Sequence, residues 1–323
     1  MFDTPVLFII FNRPETTSLV FEQIKKVQPK YLFVAADGPR SHMPGELEIC
    51  NAAREVVLNG IDWDCEIKTL FRTENTGCKK AVSKAINWFF ENVEQGIILE
   101  DDCLPDQKFF TFCKEMLWEY KGDMDIIAIN GCNFNYHKND DEGYFFSRYM
   151  NVWGWATWKR AAEMVDYNIP SWNNKHKLYF LWRKLRNNLL DFDLDWYRYW
   201  RNNFDEITAQ KLDTWDYQWQ YYQFLTGKKT IVAARNLVVN IGFDESATHT
   251  TMLNHPAAEL RIEQIILPVK MLSHKRICKD YEETMIRPIW HLYKRKDNLF
   301  YILNYINTRP LVQFFRTTLK LNK

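Results

Sequence analysis

Short apolar runs and amphipathic stretches take turns along the first 130 residues, and this alternation is the tightest constraint on the fold. Val6–Phe11, Tyr31–Ala36, Cys65–Phe71, Gly96–Leu99 and Ile126–Ile129 read as strands. Glu15–Val27, Glu46–Leu58, Lys79–Asn92 and Lys108–Tyr120 lie between them and carry helical spacing. In the first, Leu19, Val20, Ile24 and Val27 share a side; in the third, Val82, Ala85, Ile86 and Phe89 do. Such a repeat predicts an α/β fold, a parallel sheet with helices on both faces. Ligands of such sheets sit beyond the carboxyl ends of the strands. Here those ends carry Asn12, Asp37, Arg72, Glu100 to Asp102, and Asn130.

The run Gly96-Ile97-Ile98-Leu99-Glu100-Asp101-Asp102-Cys103-Leu104-Pro105 is the most telling of them. An apolar strand ends in three consecutive acids, and a proline stops it. Three carboxylates there repel one another unless a positive charge joins them. A divalent cation holding a diphosphate meets that need. Strand alternation puts Glu100 and Asp102 on one face and Asp101 on the other. One carboxylate can then take the metal while another reaches ribose hydroxyls. The leading idea is a metal-dependent, nucleotide-using enzyme; a solvated acidic loop is the plainer alternative.

Other stretches are open to two readings. Asp37-Gly38-Pro39-Arg40 offers an acid to a base edge or ribose, or is a plain turn. Arg72 can face the diphosphate, and Gly77 opens a helix whose N-terminus favours anions, unless Asn75 and Thr76 merely cap it. Asp213 and Asp216 lie in an aromatic cluster, where partial desolvation raises an acid toward use as a general base; a helix-start acid beside core aromatics is the alternative. His249, in a Gly/Ser/Thr loop, is a candidate metal or phosphate ligand, or an ordinary solvated histidine. The Trp153–Trp158 segment (Trp153, Gly154 and Trp155 foremost) can stack a sugar ring or fill the core.

Composition excludes several classes. A net charge of +1 gives no global field for nucleic acid. Seven scattered cysteines, with no C-x-x-C pair, read as reduced thiols in a cytoplasmic protein. No apolar run of about 18 residues is present to span a membrane, and the N-terminus does not read as a signal peptide. Residues 1–135 form the nucleotide-binding half, and 136–280, rich in Trp, Tyr and Arg, complete the same domain on the acceptor side. Residues 281–323 form a tail in which Arg287, Lys294, Arg295, Lys296, Arg309 and Arg316 interleave with Trp290, Tyr293, Phe300 and Phe314. It suits peripheral contact with the inner face of a membrane, or a helix packed on the domain.

Together these pieces resemble a glycosyltransferase of the GT-A (Rossmann-like) fold. Within it the chain is most similar to bacterial family-2-like nucleotide-diphospho-sugar transferases, and more distantly to N-acetylglucosaminyltransferase I. The resemblance covers about residues 5–250 and is carried by Phe8 to Pro14, Asp37 to Arg40, Ile98 to Pro105, Trp153 to Trp155, Trp215 to Trp219 and Gly242 to Thr250. It implies that Asp102 binds Mn²⁺ or Mg²⁺, that Asp101 meets the ribose, and that Asn12, Arg13, Asp37, Arg72 and Glu100 contact the nucleotide sugar. It implies Asp216 as general base of an inverting transfer, with Asp213 held as alternative because the Golgi family has two adjacent acids where this chain has Asp216-Tyr217. It makes His249 a loop ligand of the metal. The donor is then a nucleoside diphosphate sugar, UDP favoured. The acceptor is a glycan or lipid-linked hydroxyl in bacterial surface polysaccharide or glycoconjugate synthesis. Two rival readings stand beside it. A nucleotidyltransferase would need a Gly-rich loop where this chain has Asn12-Arg13-Pro14-Glu15. A non-catalytic carbohydrate-binding protein would have no use for the acid-tipped strand.

Overall fold

The computed structural model describes residues 1–138, 142–173, 194–243 and 256–286. Its centre is an eight-stranded sheet of order β3-β2-β1-β4-β8-β6-β9-β7. The strands are β1 (Val6–Ile10), β2 (Tyr31–Ala36), β3 (Glu66–Phe71), β4 (Gln95–Glu100), β6 (Ile126–Asn130), β7 (Tyr144–Ser147), β8 (Trp155–Trp158) and β9 (Lys229–Ala233). The first four pair in parallel; β8 and β7 alone run against the rest, so the sheet is mostly parallel. Helices α1 (Pro14–Val27), α2 (Glu46–Gly60), α3 (Cys78–Asn92) and α4 (Gln107–Glu119) fall within two residues of the boundaries read from spacing.

The apolar runs are continuous because both sheet faces are covered. Val6, Phe8 and Ile10 pack in one layer with Val20, Phe21 and Ile24 of α1 and Ala53 and Val57 of α2. Leu7 and Ile9 turn the other way, onto Val82, Ala85, Ile86 and Phe89 of α3. Full burial of each large aliphatic or aromatic side chain is worth about 1.5–3 kcal/mol. The first core layer includes residues from Val6 to Ile286, so both halves of the chain share it. The start of the basic tail is part of this core: Tyr281, Glu282 and Ile286 are buried. Residues 287–323, which hold the rest of that tail, lie outside the described residues. No described helix is long and apolar enough to cross a membrane.

Two features depart from the sequence reading. The strand with the acidic tip does not end for good at its acids. It turns at Asp101–Asp102 and resumes as β5 (Cys103–Pro105), which pairs antiparallel with β10 (Val238–Asn240) in a small second sheet. An edge strand is where a proline can sit, since it has no N–H to give. The aromatic stretch near residue 155 is also a strand: β8 is inserted between β4 and β6 at the centre of the sheet.

Two later helices follow the short turn α5 (Lys159–Ala162): α6 (Leu194–Thr208) and α7 (Asp216–Thr226). Buried glutamines moor α7. Gln220 accepts from the Met150 N–H at 2.9 Å and donates to the Arg148 carbonyl at 2.9 Å. Gln223 donates to Thr230 Oγ1 at 2.9 Å, and Gln218 to the Thr214 carbonyl at 2.8 Å. Gln218 and Gln220 thus satisfy backbone groups outside the regular elements.

Candidate active site

A cavity of about 430 Å³ opens beyond the carboxyl ends of β1, β2 and β4, with the start of α7 as its far wall. Of the residues singled out above, Asn12, Arg13, Asp37, Arg72, Glu100, Asp101, Asp102, Trp153, Asp213 and Asp216 all line it. Residues some 200 positions apart thus meet in one space. His249 lies outside the described residues.

The acidic tip is gathered rather than split between faces, because the backbone turns after Glu100. Asp101 Oδ2 accepts the Phe11 N–H at 2.9 Å, tying the end of β1 to the turn after β4. Asp102 Oδ2 lies 3.3 Å from Arg13 Nη1, and its Oδ1 accepts from Cys103 Sγ at 3.4 Å. Burial is the main reason that all three carboxyls titrate above their ordinary range, Asp101 at about 7. Their mutual repulsion raises Glu100 and Asp101 further, and Arg13 pulls all three back down. Asp216 adds to the repulsion on Glu100.

The later chain covers this turn. The Ile241 N–H donates to the Asp102 carbonyl at 2.8 Å, and the Gly242 N–H to Asn240 Oδ1 at 2.8 Å. A Cβ on Gly242 would come within 2.5 Å of Asp102 Oδ2 and 2.9 Å of Arg13 Nη1. Only glycine lets the backbone pass so close.

Three of the acids have different duties from those expected of them. Asp101 is engaged at one oxygen by the Phe11 backbone. Asp37 is buried, and its carboxylate accepts from the Thr76 N–H at 2.9 Å, the Gly77 N–H at 3.2 Å and Thr76 Oγ1 at 3.1 Å. It therefore organises the loop before α3 from within the cavity wall. Asp213 accepts the N–H of Cys78 and of Lys79, each at 3.0 Å. The anion drawn to the α3 N-terminus is thus this side chain, 134 residues downstream of Lys79. Asp216, the other candidate, stands at the mouth of α7 and accepts from Thr214 Oγ1.

Among the cavity arginines, Arg13 is paired with Asp102 and Arg40 with Glu46. Arg72 lines the same cavity and has no ion-pair partner among the described residues.

The tryptophan segment divides. Trp153 is half-buried in the wall, edge-on to Phe134 at 5.6 Å and Phe243 at 5.8 Å. Gly154 has φ +64° and packs on Val238, where a Cβ would come within 2.6 Å; it is a turn requirement, not a sugar contact. Trp155 is fully buried, stacked on Trp215 at 6.0 Å and edge-on to Trp219 at 4.9 Å, so it has no face for a sugar. We expect Trp155→Ala to cost about 3–5 kcal/mol in denaturant unfolding, the cost of emptying an aromatic core site.

Sequence reasoning missed Glu46, Asn240 and Gly242. Glu46 has the look of an ordinary first-turn helix acid. The other two become part of the site only through the β5–β10 pairing.

No protein-family model matches the chain, and no curated protein matches it. Among solved structures, it is similar to the mannosyltransferase PcManGT from Pyrobaculum calidifontis in complex with GDP-Man and Mn²⁺. The identity is 15% and the TM-score 0.31, over 51% of this chain and 46% of that one, so less than half of the mannosyltransferase is matched. Mouse xyloside xylosyltransferase 1 is similar at 9% identity and TM-score 0.32, over 70% and 82% of the two chains. The 4-diphosphocytidyl-2C-methyl-D-erythritol synthase of Anaerococcus prevotii is similar at 8% identity and TM-score 0.34, over 71% and 88%. Likenesses this distant carry no argument; the fold assignment rests on the sheet order and the functional reading on the cavity.

Proposed function

We propose that this chain is a metal-dependent, inverting glycosyltransferase. It takes a sugar from a nucleoside diphosphate sugar, UDP-sugar favoured, to a hydroxyl of a glycan or lipid-linked acceptor in bacterial surface polysaccharide or glycoconjugate synthesis. The observation that carries the reading is the meeting, in one cavity, of the acids Glu100 to Asp102 with Asp216 and Arg72.

The donor set suits a hard cation. Glu100, Asp101 and Asp102, with Arg13 as a nearby counter-charge, offer oxygen ligands of the kind Mn²⁺ and Mg²⁺ take. Among the described residues no three His, Cys, Asp or Glu side chains converge to hold a metal. Asp102, with a neighbouring carboxyl of the same turn, would hold the cation beside the donor's phosphates, where it would supply Lewis-acid stabilisation. When bound, the cation neutralises charge on the leaving diphosphate.

The remaining chemistry belongs to the chain. Arg72 faces the diphosphate and stabilises the charge that builds there. Asp216 takes the proton of the acceptor hydroxyl as its oxygen attacks the anomeric carbon. The new C–O bond forms opposite the bond to the phosphate oxygen, whose electron pair leaves with the nucleoside diphosphate. Trp153 offers its ring to the acceptor. Basic residues of the tail hold the protein at an anionic lipid surface.

The rival nucleotidyl transfer needs a glycine-rich cradle for a triphosphate. The connection from β1 to α1 is only Phe11-Asn12-Arg13. A panel of nucleotide sugars with Mn²⁺, read by thermal shift and by release of nucleoside diphosphate, tests the reading. We expect stabilisation and slow release with one diphosphate sugar. Pyrophosphate release from a nucleoside triphosphate and a sugar phosphate would sink it in favour of the rival. Silence from every donor would favour a carbohydrate-binding protein.

A further inference from the structure

Glu46 is absent from the cavity wall, yet it holds two residues that form it. The side chain stands at the start of α2 and is 4% exposed. Its Oε1 accepts from Asn12 Nδ2 at 2.9 Å, and its Oε2 accepts the Arg40 N–H at 2.6 Å. Arg40 Nε donates to both oxygens, at 3.0 and 3.1 Å, and its Nη2 donates to Oε1 as well. The Arg40 guanidinium also lies over the Phe11 ring, 5.7 Å from its centre. Phe11, Asn12 and Arg40 all line the cavity. One buried carboxylate therefore joins the loop after β1 to the loop after β2.

The far end of the second loop is fixed independently. Asp37 grips Thr76 and Gly77, and Gly38 packs so tightly on Glu74 that a Cβ would come within 2.4 Å of its backbone. Arg40 is the end that Glu46 must hold. A buried acid is tolerated only when paired and hydrogen-bonded, and this one spends its acceptor capacity on those two residues. Its charge offsets that of Arg40. What Arg40 presents to the cavity is thus a fixed planar donor rather than a free cation.

We propose that Glu46 is a positioning residue for the donor, setting Arg40 and Asn12 as the wall against which a nucleoside diphosphate seats. The inference rests on the transferase reading. The test is calorimetric titration of the full chain with UDP and with GDP, in the presence of Mn²⁺, alongside donor KM and kcat. Wild type is compared with Glu46→Ala, Glu46→Gln, Arg40→Ala and the double variant E46A/R40A. Glu46→Ala is expected to weaken nucleoside diphosphate binding by about tenfold and to raise donor KM with kcat held. Glu46→Gln, which keeps an acceptor for Asn12 or the Arg40 N–H, recovers part of the loss. The double variant falls short of the sum of the singles, because both act through one contact. Two results overturn the proposal: binding by Glu46→Ala within about twofold of wild type, or a lowered Tm with unchanged affinity in the folded protein. If Glu46→Ala does not fold, Glu46→Gln against Arg40→Ala makes the same comparison. Wild type that binds neither nucleotide refutes the transferase reading itself, before any variant is compared.

Discussion

Asp216→Asn is expected to lower kcat by about 10²- to 10⁴-fold, the range for loss of a general base, with nucleoside diphosphate affinity unchanged. The amide keeps the size of the side chain and can still accept from Thr214 Oγ1, so α7 starts as before. What it loses is the capacity to take a proton. Single-turnover transfer with donor saturating measures the chemical step directly. Asp213 is the built-in control. It caps α3 in trans, so Asp213→Ala should cost about 0.5–2 kcal/mol of stability. Its loss in single-turnover rate should be far smaller than that of Asp216→Asn. The opposite ranking of the two variants would transfer the role of base to Asp213.

Asp102→Asn carries the second large effect. It removes the charge that a divalent cation would meet and turns the Arg13 contact at 3.3 Å from an ion pair into at most a neutral hydrogen bond. Loss of one preorganised electrostatic group of this kind costs about 10²–10³-fold, read here in kcat/KM. The Mn²⁺-dependent part of the nucleotide thermal shift should vanish with it. A variant that keeps that shift would remove Asp102 from the metal site.

The acid cluster also fixes the sign of a pH dependence. A carboxyl raised by burial keeps its proton in the folded state at a pH where the unfolded chain has released it. Glu100, Asp101 and Asp102 are all raised, Asp101 to about 7. Without metal, Asp101 therefore costs stability in full above about 7. That cost fades as pH falls from there toward the ordinary carboxylate range. A cation needs the ionised forms, so its binding displaces protons and weakens as pH drops below about 7.

Particular elements show how far the chain could be read from its pattern. The strands β1, β2 and β4 and helices α1 to α4 obey local periodicity, and their boundaries follow from residues within one turn or one pleat. The acids of the β4 tip and Arg72 stand out for a related reason: polar groups at the ends of apolar strands have few other uses. Strand β8 was illegible as such. Trp155 and Trp158 fit a sugar platform as well as a core, and only the antiparallel insertion between β4 and β6 buries them. Asp37 and Asp213 were legible as important acids but not as caps, since their partners at Thr76 to Lys79 lie in a different part of the chain.

The amino-acid order by itself determined the α/β class, the edge at which a ligand must sit, and the residue types collected there. Those properties depend on spacing along the chain, which hydrophobic burial on both sheet faces enforces locally. Tertiary structure decided which acids remain available for chemistry and which are spent on backbone. It also brought Glu46 beneath Asn12 and Arg40, and Gly242 over Asp102. Such pairings join residues tens to more than a hundred positions apart. They are set by how strand-end loops meet in space, and no local pattern encodes that meeting.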